Sequence, residues 1–508
     1  MPSFYIPLTG LNADSTALNT IANDLSNMNT TGFKAQTTNF ADLFYQQIGA
    51  TGSGDPIQAG AGTQVANIET DFSAGTSNST GLSTDVALQG NGFFVVQNGN
   101  QQYLTRDGNF SLNSNGDLIT SSGENVMGYP ATNGVVNTNG ALSPINIPVG
   151  QTEAPSATTT LGMNVTLDSE GSSFPAPVTL YDSLGTAYQA TVEFTKTGTN
   201  QWSYSISVPD KITANTSTAA GVTTVNYNFG SSGGTLATVD TSTNMTITGL
   251  NSSGVSTTIT APTITAGESV SSYATALQGA LTTAGITGVT VNASATGQLS
   301  ISGSNVSVSG SVVQDPVATN ATGTLTFDSN GNLVTPSGNV SGISFAGLSD
   351  GASALNFTWD LFGSNGAGTI SQVNETSAVN STSATNGYPA GTYNGFTVSS
   401  DGTVTASFSN GQNLNVGQIA LGTVANLQGL SANGNGDYST TLASGSATIG
   451  VSGSAGLGTM EDGALEASNV NISAEFSDLI IAQRAFEANS KAITTFDTVT
   501  QETIQMIH

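Results

Sequence analysis

The sequence predicts a mainly β protein of nested domains, closed at its N- and C-termini by α-helical, coiled-coil-like segments. Three observations predict it. Apolar residues recur every seven positions near each end of the chain. Short alternating runs bounded by Asn-Gly and Asp-Gly fill the body, a pattern of strands and tight turns. A strand-and-turn texture present before residue 155 returns after residue 378, so one domain is assembled from both flanks and the middle is inserted into it. The architecture is therefore discontinuous and multi-domain.

At the N-terminus, Phe4, Leu11, Leu18 and Leu25 repeat at seven, with Leu8 and Ala22 interleaved and Ile21 and Met28 widening the face. This predicts an amphipathic helix from Leu8 to Met28, weakest at Gly10. At the other end Ile472, Leu479, Phe486, Ile493, Thr500 and Ile507 form a second stripe, with Phe476 and Ile504 four residues after stripe positions. Ala485, Ala492, Val499 and Met506 flank it. Glu487 and Lys491 are placed to pair at i,i+4 on the opposite side. Asn471 or Ser473 can cap the helix, and Glu475 favours the positive end of its dipole. A rod on the order of 54 Å cannot bury such a stripe on itself. The expectation is that the two ends pair.

The chain divides by texture into five parts. Residues 1–30 and 464–508 are the paired terminal helices, and 31–75 is an extended connector. Residues 76–155 and 378–463 form an inner β domain, with a hairpin turning at Asn115-Gly116 and a meander turning at Asp401-Gly402 and Asn410-Gly411. Residues 156–211 and 313–377 form an outer β domain whose core holds both tryptophans, Trp202 and Trp359. Residues 212–312 are an inserted outermost lobe with one short helix, Glu268 to Leu281, presenting Val270, Tyr273, Leu277 and Leu281 on one face.

Composition removes whole classes of function. The 508 residues carry 33 acidic and 6 basic side chains, a formal charge of −27. Nucleic acid and anionic membranes are bound through Lys and Arg, so neither is an expected partner. Without cysteine there is no disulfide or thiolate chemistry, and one histidine, His508, cannot build a zinc site or a Ser–His–Asp triad. Asp328-Ser329-Asn330-Gly331-Asn332 lacks the ligands of a calcium loop and reads as a hairpin turn. Gly90-Asn91-Gly92 lacks the third glycine and following helix of a dinucleotide site. No catalytic, cofactor or metal residue is singled out, and no enzyme is expected. No stretch approaches the ~20 apolar residues of a membrane span. No cleavable signal peptide is visible at Met1-Pro2-Ser3-Phe4, so export would use a route that does not read one.

The segment after the first helix carries a specific pattern: Ala22-Asn23, Leu25, Asn27, Asn29-Thr30 and Gly32-Phe33-Lys34. It resembles the N-terminal signature of the bacterial flagellar rod and hook family of axial proteins, with Asp24 where that family often has an amide. Phe40-Ala41-Asp42-Leu43-Phe44-Tyr45-Gln46 resembles the hook branch more than the rod branch. Gly463-Ala464-Leu465-Glu466-Ala467-Ser468-Asn469-Val470 and the later Gln483-Arg484-Ala485-Phe486 resemble the family's C-terminal signature, with Asn471 where Asp is usual. Segments of the inner β domain resemble that of hook and distal rod proteins, and 212–312 resembles a small module of some flagellins and long hook proteins. The resemblance implies a helical homopolymer, a curved and flexible extracellular tube joining rod to filament and transmitting torque. Leu11, Leu18, Leu25, Leu479, Phe486 and Ile493 and the two motifs would carry polymerisation. It implies as partners the distal rod protein, the hook cap, the hook–filament junction protein and the flagellar type III export apparatus.

Rival readings meet specific objections. Distal rod proteins are much shorter, and junction proteins have a different texture from Gly32-Phe33-Lys34. A secreted β-rich adhesin or a carbohydrate-active enzyme would explain the Ser, Thr, Asn and Gly bias but not the two terminal stripes. A surface-layer protein would need a signal peptide.

Overall fold

A computed structural model describes residues 4–50, 55–212, 215–228, 245–263, 268–294, 298–309, 312–314, 317–363, 366–381 and 385–506. Ile507 and His508 lie outside the described residues. The helices are α1 (Tyr5–Ser26), α2 (Val270–Thr283) and α3 (Ile472–Gln505), set among many short strands. The chain divides into two compact units, Met1–Gln151 with Thr392–His508, and Thr152–Gly391.

In the first unit, α1 tolerates Pro7 because its missing N–H falls in the first turn, where no intrahelical acceptor exists. The helix ends at Asn27, whose N–H reaches the carbonyls of Asn23 and Asp24, and the chain turns at Gly32 with φ +67°. The segment expected as an extended connector is instead a folded ribbon. Gln36–Asp42 pairs antiparallel with Thr63–Thr70, and Gln46–Ala50 pairs with Pro56–Ala59. This two-stranded ribbon lies on α1: Gln36 N donates to Asp24 Oδ2 at 2.7 Å, Thr38 Oγ1 to Thr20 Oγ1 at 3.1 Å, and Thr63 N to Thr9 Oγ1 at 3.3 Å. No residue of either long strand is fully buried, which is why no clear alternation marks them in the sequence.

The inner β body is built from both flanks of the chain. Phe93–Asn98 pairs with Gln101–Thr105, Asn125–Thr132 and Leu421–Thr423. Asn125–Thr132 pairs with Asn413–Ile419, which continues to Thr403–Phe408 and Gly391–Val398. The turns lie at Gly116 (φ +85°), Gly402 (φ +85°) and Gly411 (φ +79°), where a side chain would be strained. Val86, Phe94, Val96, Phe110 and Leu118 share one core with Phe396, Val404, Ile419 and Leu421.

The second unit contains a five-stranded sheet, Ser173–Tyr181, Ala187–Gly198, Gln201–Ser207, Thr322–Phe327 and Leu333–Thr335, with further strands packed on it. Trp202 and Trp359 are both fully buried in one core. Trp359 meets Tyr204 edge-on at 5.0 Å, and Trp202 Nε1 donates to Gln372 Oε1 at 2.8 Å. The boundary with the inner domain differs from the sequence expectation. Ala378–Ser381 pairs with Asn164–Asp168, so residues 378–391 belong to this unit and the division falls at 151 and 392. Near the C-terminus, Ala464–Glu466 is a strand paired with Ser77–Ser79, and α3 begins only at Ile472.

Within the second unit, the described parts of 212–312 enclose a separate core around Tyr227, Ile247, Tyr273, Leu277, Leu281 and Ile301. Ser269 caps α2 by accepting from Ser272 N at 3.0 Å, and Val270, Tyr273, Leu277 and Leu281 are all buried. Asp210–Ile212 pairs antiparallel with Val312–Gln314, which brings the two ends of the insertion together. Excision of 215–309 with a short Gly/Ser closure is therefore expected to leave the tryptophan core intact, because closing a loop whose ends are adjacent costs little. Tryptophan fluorescence and a cooperative thermal transition should survive, and their loss would show a shared core.

Candidate assembly site

The terminal helices pack together, on α1 mainly through a face of small residues beside the apolar stripe. On α1 the buried residues are Pro7, Gly10, Ala13, Ala17, Thr20 and Asp24, while Leu11, Leu18 and Leu25 are half-buried and Phe4, Leu8 and Met28 exposed. Small side chains let the backbones approach. A Cβ on Gly10 would come within 2.6 Å of Asn489 Nδ2, which donates to Asp14 Oδ2 at 2.8 Å. Phe4 and Phe496 close the far end edge-to-face at 6.0 Å.

On α3, Leu479, Phe486, Ile493 and Thr500 are half-buried, and Glu475, Ala482, Asn489 and Phe496 form a second series at the same spacing, four residues earlier. Together they make the a/d pattern of a helix seam. The polar members Glu475 and Asn489 hide that second series from a reading that counts only apolar residues. Asn471 is the N-cap, its Oδ1 accepting from Ser473 N at 3.1 Å and Ala474 N at 3.2 Å. The Glu487–Lys491 pair does not form: among the described residues the ion pairs are those of Glu466 with Lys34 and Arg106.

Those two ion pairs join the N-terminal motif and the inner β body to Glu466 near the C-terminal helix. Lys34 Nζ lies 2.6 Å from Glu466 Oε1 and donates to the Ser73 carbonyl at 2.6 Å. Arg106 Nη1 lies 3.1 Å from Glu466 Oε2, Nη2 donates to Gly90 O at 2.7 Å, and the guanidinium stacks over Phe93 at 5.4 Å. Gly75 N adds a bond to Glu466 Oε1 at 2.8 Å. All three charged side chains are buried. Burial pulls the Lys34 ammonium below its usual range, and Glu466 opposes that shift. Gly32 must be glycine twice over: its φ is +67°, and a Cβ would meet the Arg106 backbone at 2.6 Å.

The other motif residues divide by position. Asn469 stitches the termini, accepting from Ala35 N at 2.8 Å and donating to Asp71 O at 2.8 Å. Ser468 Oγ accepts from Val470 N at 3.4 Å, and Asn469 N donates to Phe33 O at 3.4 Å. Asn23, Asn27 and Thr30 finish α1: Asn27 Nδ2 donates to Asn23 O at 2.9 Å and Thr30 Oγ1 to Asn27 Oδ1 at 3.1 Å. Asn29, Gln483 and Arg484 are exposed and are not brought into this cluster. Glu466 lies within the C-terminal family run, but neither it nor Arg106 is among the site residues expected from the sequence. The available signal was scarcity, since a chain with 6 basic residues must spend each where it counts.

A second acidic group lies on the same β body. Asp437 is buried and pairs in register with Thr105. Burial first, and then the Glu124 carboxylate, push it up to about 7.

Large apolar side chains remain exposed on α3 and the ribbon. Phe44 is 92% exposed, and Ile48, Ile472, Phe476, Ile480 and Ile481 are also exposed. Large apolar side chains left in solvent in this number are candidates for contact with another chain. Between α1, α3 and the ribbon runs a groove of about 290 Å³ whose lining includes Asp14, Ile21, Phe40, Glu475, Asp478 and Ala482. Among the described residues no cluster of His, Cys, Asp and Glu is placed to hold a metal, and no helix is long and apolar enough to cross a membrane.

Comparison with known proteins gives a consistent set of similarities. Family profiles match residues 4–34 (flagella basal body rod protein) and 87–172 (flagellar hook protein FlgE/F/G D1 domain). Others match 151–305 (flagellar basal body protein FlaE D2 domain) and 461–506 (flagellar basal body rod FlgEFG protein C-terminal). The flagellar hook protein FlgE of Escherichia coli K12 is 29% identical over 98% of both chains, and that of Treponema pallidum 28% over 98% of both. The flagellar basal-body rod protein FlgG of Buchnera aphidicola is 42% identical over only 26% of this chain. Among solved structures, Helicobacter pylori flagellar hook protein FlgE2 aligns with 77% of this chain and 100% of its own at 15% identity and a TM-score of 0.39.

Breaking one partner of a buried ion pair leaves an uncompensated charge, so Glu466→Gln is expected to lower unfolding free energy by about 3–5 kcal/mol. Urea denaturation of the full chain measures it, and a loss within 0.5 kcal/mol, roughly the effect of an ordinary surface substitution, would show the cluster to be dispensable. The Asp437 carboxyl gives a pH dependence of fixed sign. Its folded value, about 7, lies above the ordinary value of 3.8, so the folded state binds the proton more tightly. Stability from this group is full below the unfolded value and falls, by at most ~1.4 kcal/mol per pH unit, as pH rises towards the folded value. Melts from acid to alkaline pH should show that decline, and Asp437→Asn should flatten it.

Proposed function

The chain belongs to the bacterial flagellar rod and hook family of axial proteins, and from that premise we propose that it is the structural subunit of the flagellar hook. Copies of it polymerise into a curved, flexible tube outside the cell, which joins the rod to the filament and passes torque between them. The observation that carries this reading is the extent of similarity. Hook proteins align over 98% of both chains, whereas a rod protein aligns over 26% of this one, leaving the large inserted unit without a counterpart there. The unpartnered apolar faces of α1, α3 and the ribbon supply the adhesive surface such a polymer needs.

In this reading Leu11, Leu18, Leu25, Leu479, Phe486 and Ile493 set the helix pair and its contacts with neighbouring copies. Asn23, Asn27, Asn29, Thr30, Gly32, Phe33, Lys34, Ser468, Asn469 and Val470 fix the helices to the inner β body, and Gln483 and Arg484 face outward to neighbours. The distal rod protein bounds the tube at its base, and the hook cap and then the hook–filament junction protein bound it at its tip. The flagellar export apparatus delivers the chain without a cleaved signal peptide. The domain scheme assigns assembly to the termini and inner β body, and an outward position to 212–312.

Electron microscopy of the concentrated protein tests the reading, with curved tubes expected and dispersed globules counting against it. Phe486→Asp should abolish tubes by placing a carboxylate in the helix seam, at a cost of several kcal/mol to the contact, while the β units keep their thermal transition. Tubes at the parent concentration would show that the seam does not carry assembly.

A further inference from the structure

The terminal helices carry two unlike surfaces, and each lacks what the other offers. On α3, Ile472, Phe476, Ile480 and Arg484 follow one another at four-residue steps, with Lys491 one heptad beyond Arg484; the three apolar side chains are 45%, 53% and 57% exposed. Of the basic residues, Lys34 and Arg106 are committed to Glu466, and Lys196 donates to the Ser169 carbonyl. Among the described residues, Arg484 and Lys491 make no ion pair. Across the helix, roughly opposite at ~100° per residue, lies the groove between α1, α3 and the ribbon. Its apolar walls include Ile21, Phe40 and Ala482, and Asp14, Glu475 and Asp478 supply its charge.

No basic residue lines that groove, and the acidic groups strain against one another. Burial, with the charges of Asp24 and Asp478, pushes Glu475 up. Asp24, fully buried beside it, uses Oδ2 to accept from Gln36 N, and its Oδ1 has no donor. The groove is shaped and charged for an aliphatic stem ending in a cation.

We propose that this groove receives Arg484 of a second copy of the chain, with Phe476 and Ile480 of that copy seated on its apolar rim. The proposal rests on the hook reading above and names the contact by which one subunit holds the next. Knob and groove lie on opposite sides of α3, so the contact is heterologous. Such a contact leaves each new subunit with an open groove or an open knob and, where its rotation does not close a ring, propagates as a helix instead of closing as a dimer. Arginine suits the role because its guanidinium stays charged and bonds carboxylates in a planar fork.

The test is a charge swap in the full-length protein, read as the lowest concentration at which tubes form. Arg484→Glu faces the acidic groove with a like charge and should raise that concentration by about tenfold or more, with Arg484→Gln intermediate. Combining Arg484→Glu with Asp478→Arg should restore assembly to within roughly threefold of the parent. Arg484 is exposed, so folding should be preserved, and unchanged helical circular dichroism of the dilute variants checks this. Assembly of Arg484→Glu at the parent concentration overturns the proposal while leaving the hook reading intact. Absence of rescue in a folded double variant also overturns it, because it removes the groove as the seat. Failure of the parent to form tubes at any concentration sinks both.

Discussion

The carboxylate of Glu466 is the point on which the subunit's architecture depends. Its two oxygens take Lys34 from just after α1, Arg106 from the inner β body and the Gly75 N–H from the end of the ribbon, all out of water. The bonds connect residues 34, 106 and 466, so no local segment can form the cluster alone. Gly32 and Asn469 tighten the same place, one by letting the backbone pass against Arg106 and the other by bonding Ala35 and Asp71. Both terminal helices leave the β body from this knot. Their directions are therefore set by a geometry that tolerates little error, since a misplaced partner would leave a charge buried and unpaired.

A different economy governs the helices themselves. Their mutual contact uses glycine, alanine and a hydrogen-bonded Asn489–Asp14 pair, while the larger residues of the stripes stay half-exposed. For an isolated soluble domain this would be a poor arrangement, because large apolar groups at the surface contribute little to folding. It is sensible for a chain whose burial is completed by other chains. Small residues settle the intramolecular distance, and the large ones remain free to pack between copies.

This explains which parts of the structure were legible in the sequence. The meander at 396–421, the Asn115-Gly116 hairpin and the four buried residues of α2 were readable because each buries a face within its own subunit, and burial imposes period and turn chemistry. The terminal helices were readable from the large residues of their stripes, although those stay half-exposed. The ribbon at 36–70 was missed because neither of its long strands buries a residue fully, so no alternation was imposed. The seam face of α1 was missed because Gly10, Ala13 and Ala17 are small; their three- and four-residue spacing was present but carried no weight of hydrophobicity. Glu466 stood inside the C-terminal family run, but its role was not legible, since a glutamate in a motif looks the same whether solvated or holding two cations. Residues 378–391 were assigned to the wrong unit because Ala378–Ser381 has no strong apolar pattern and is placed only by its pairing with Asn164–Asp168.

The two kinds of charge contact separate the integrity of the subunit from the cohesion of the polymer. The knot is excluded from water, and added salt screens it weakly. The groove is open to solvent, and an arginine entering it from a neighbour approaches through a medium where the Debye length is ~8 Å at physiological ionic strength. Subunits can therefore remain folded under conditions that loosen their association. With 33 acidic against 6 basic residues, each added subunit also brings like charge to the tube. A contact that pairs a scarce cation with a carboxylate cluster at every step offsets part of that repulsion where the copies touch. The remaining surface, rich in hydroxyl and amide groups, has few fixed charge pairs to break if neighbours slide in the proposed tube.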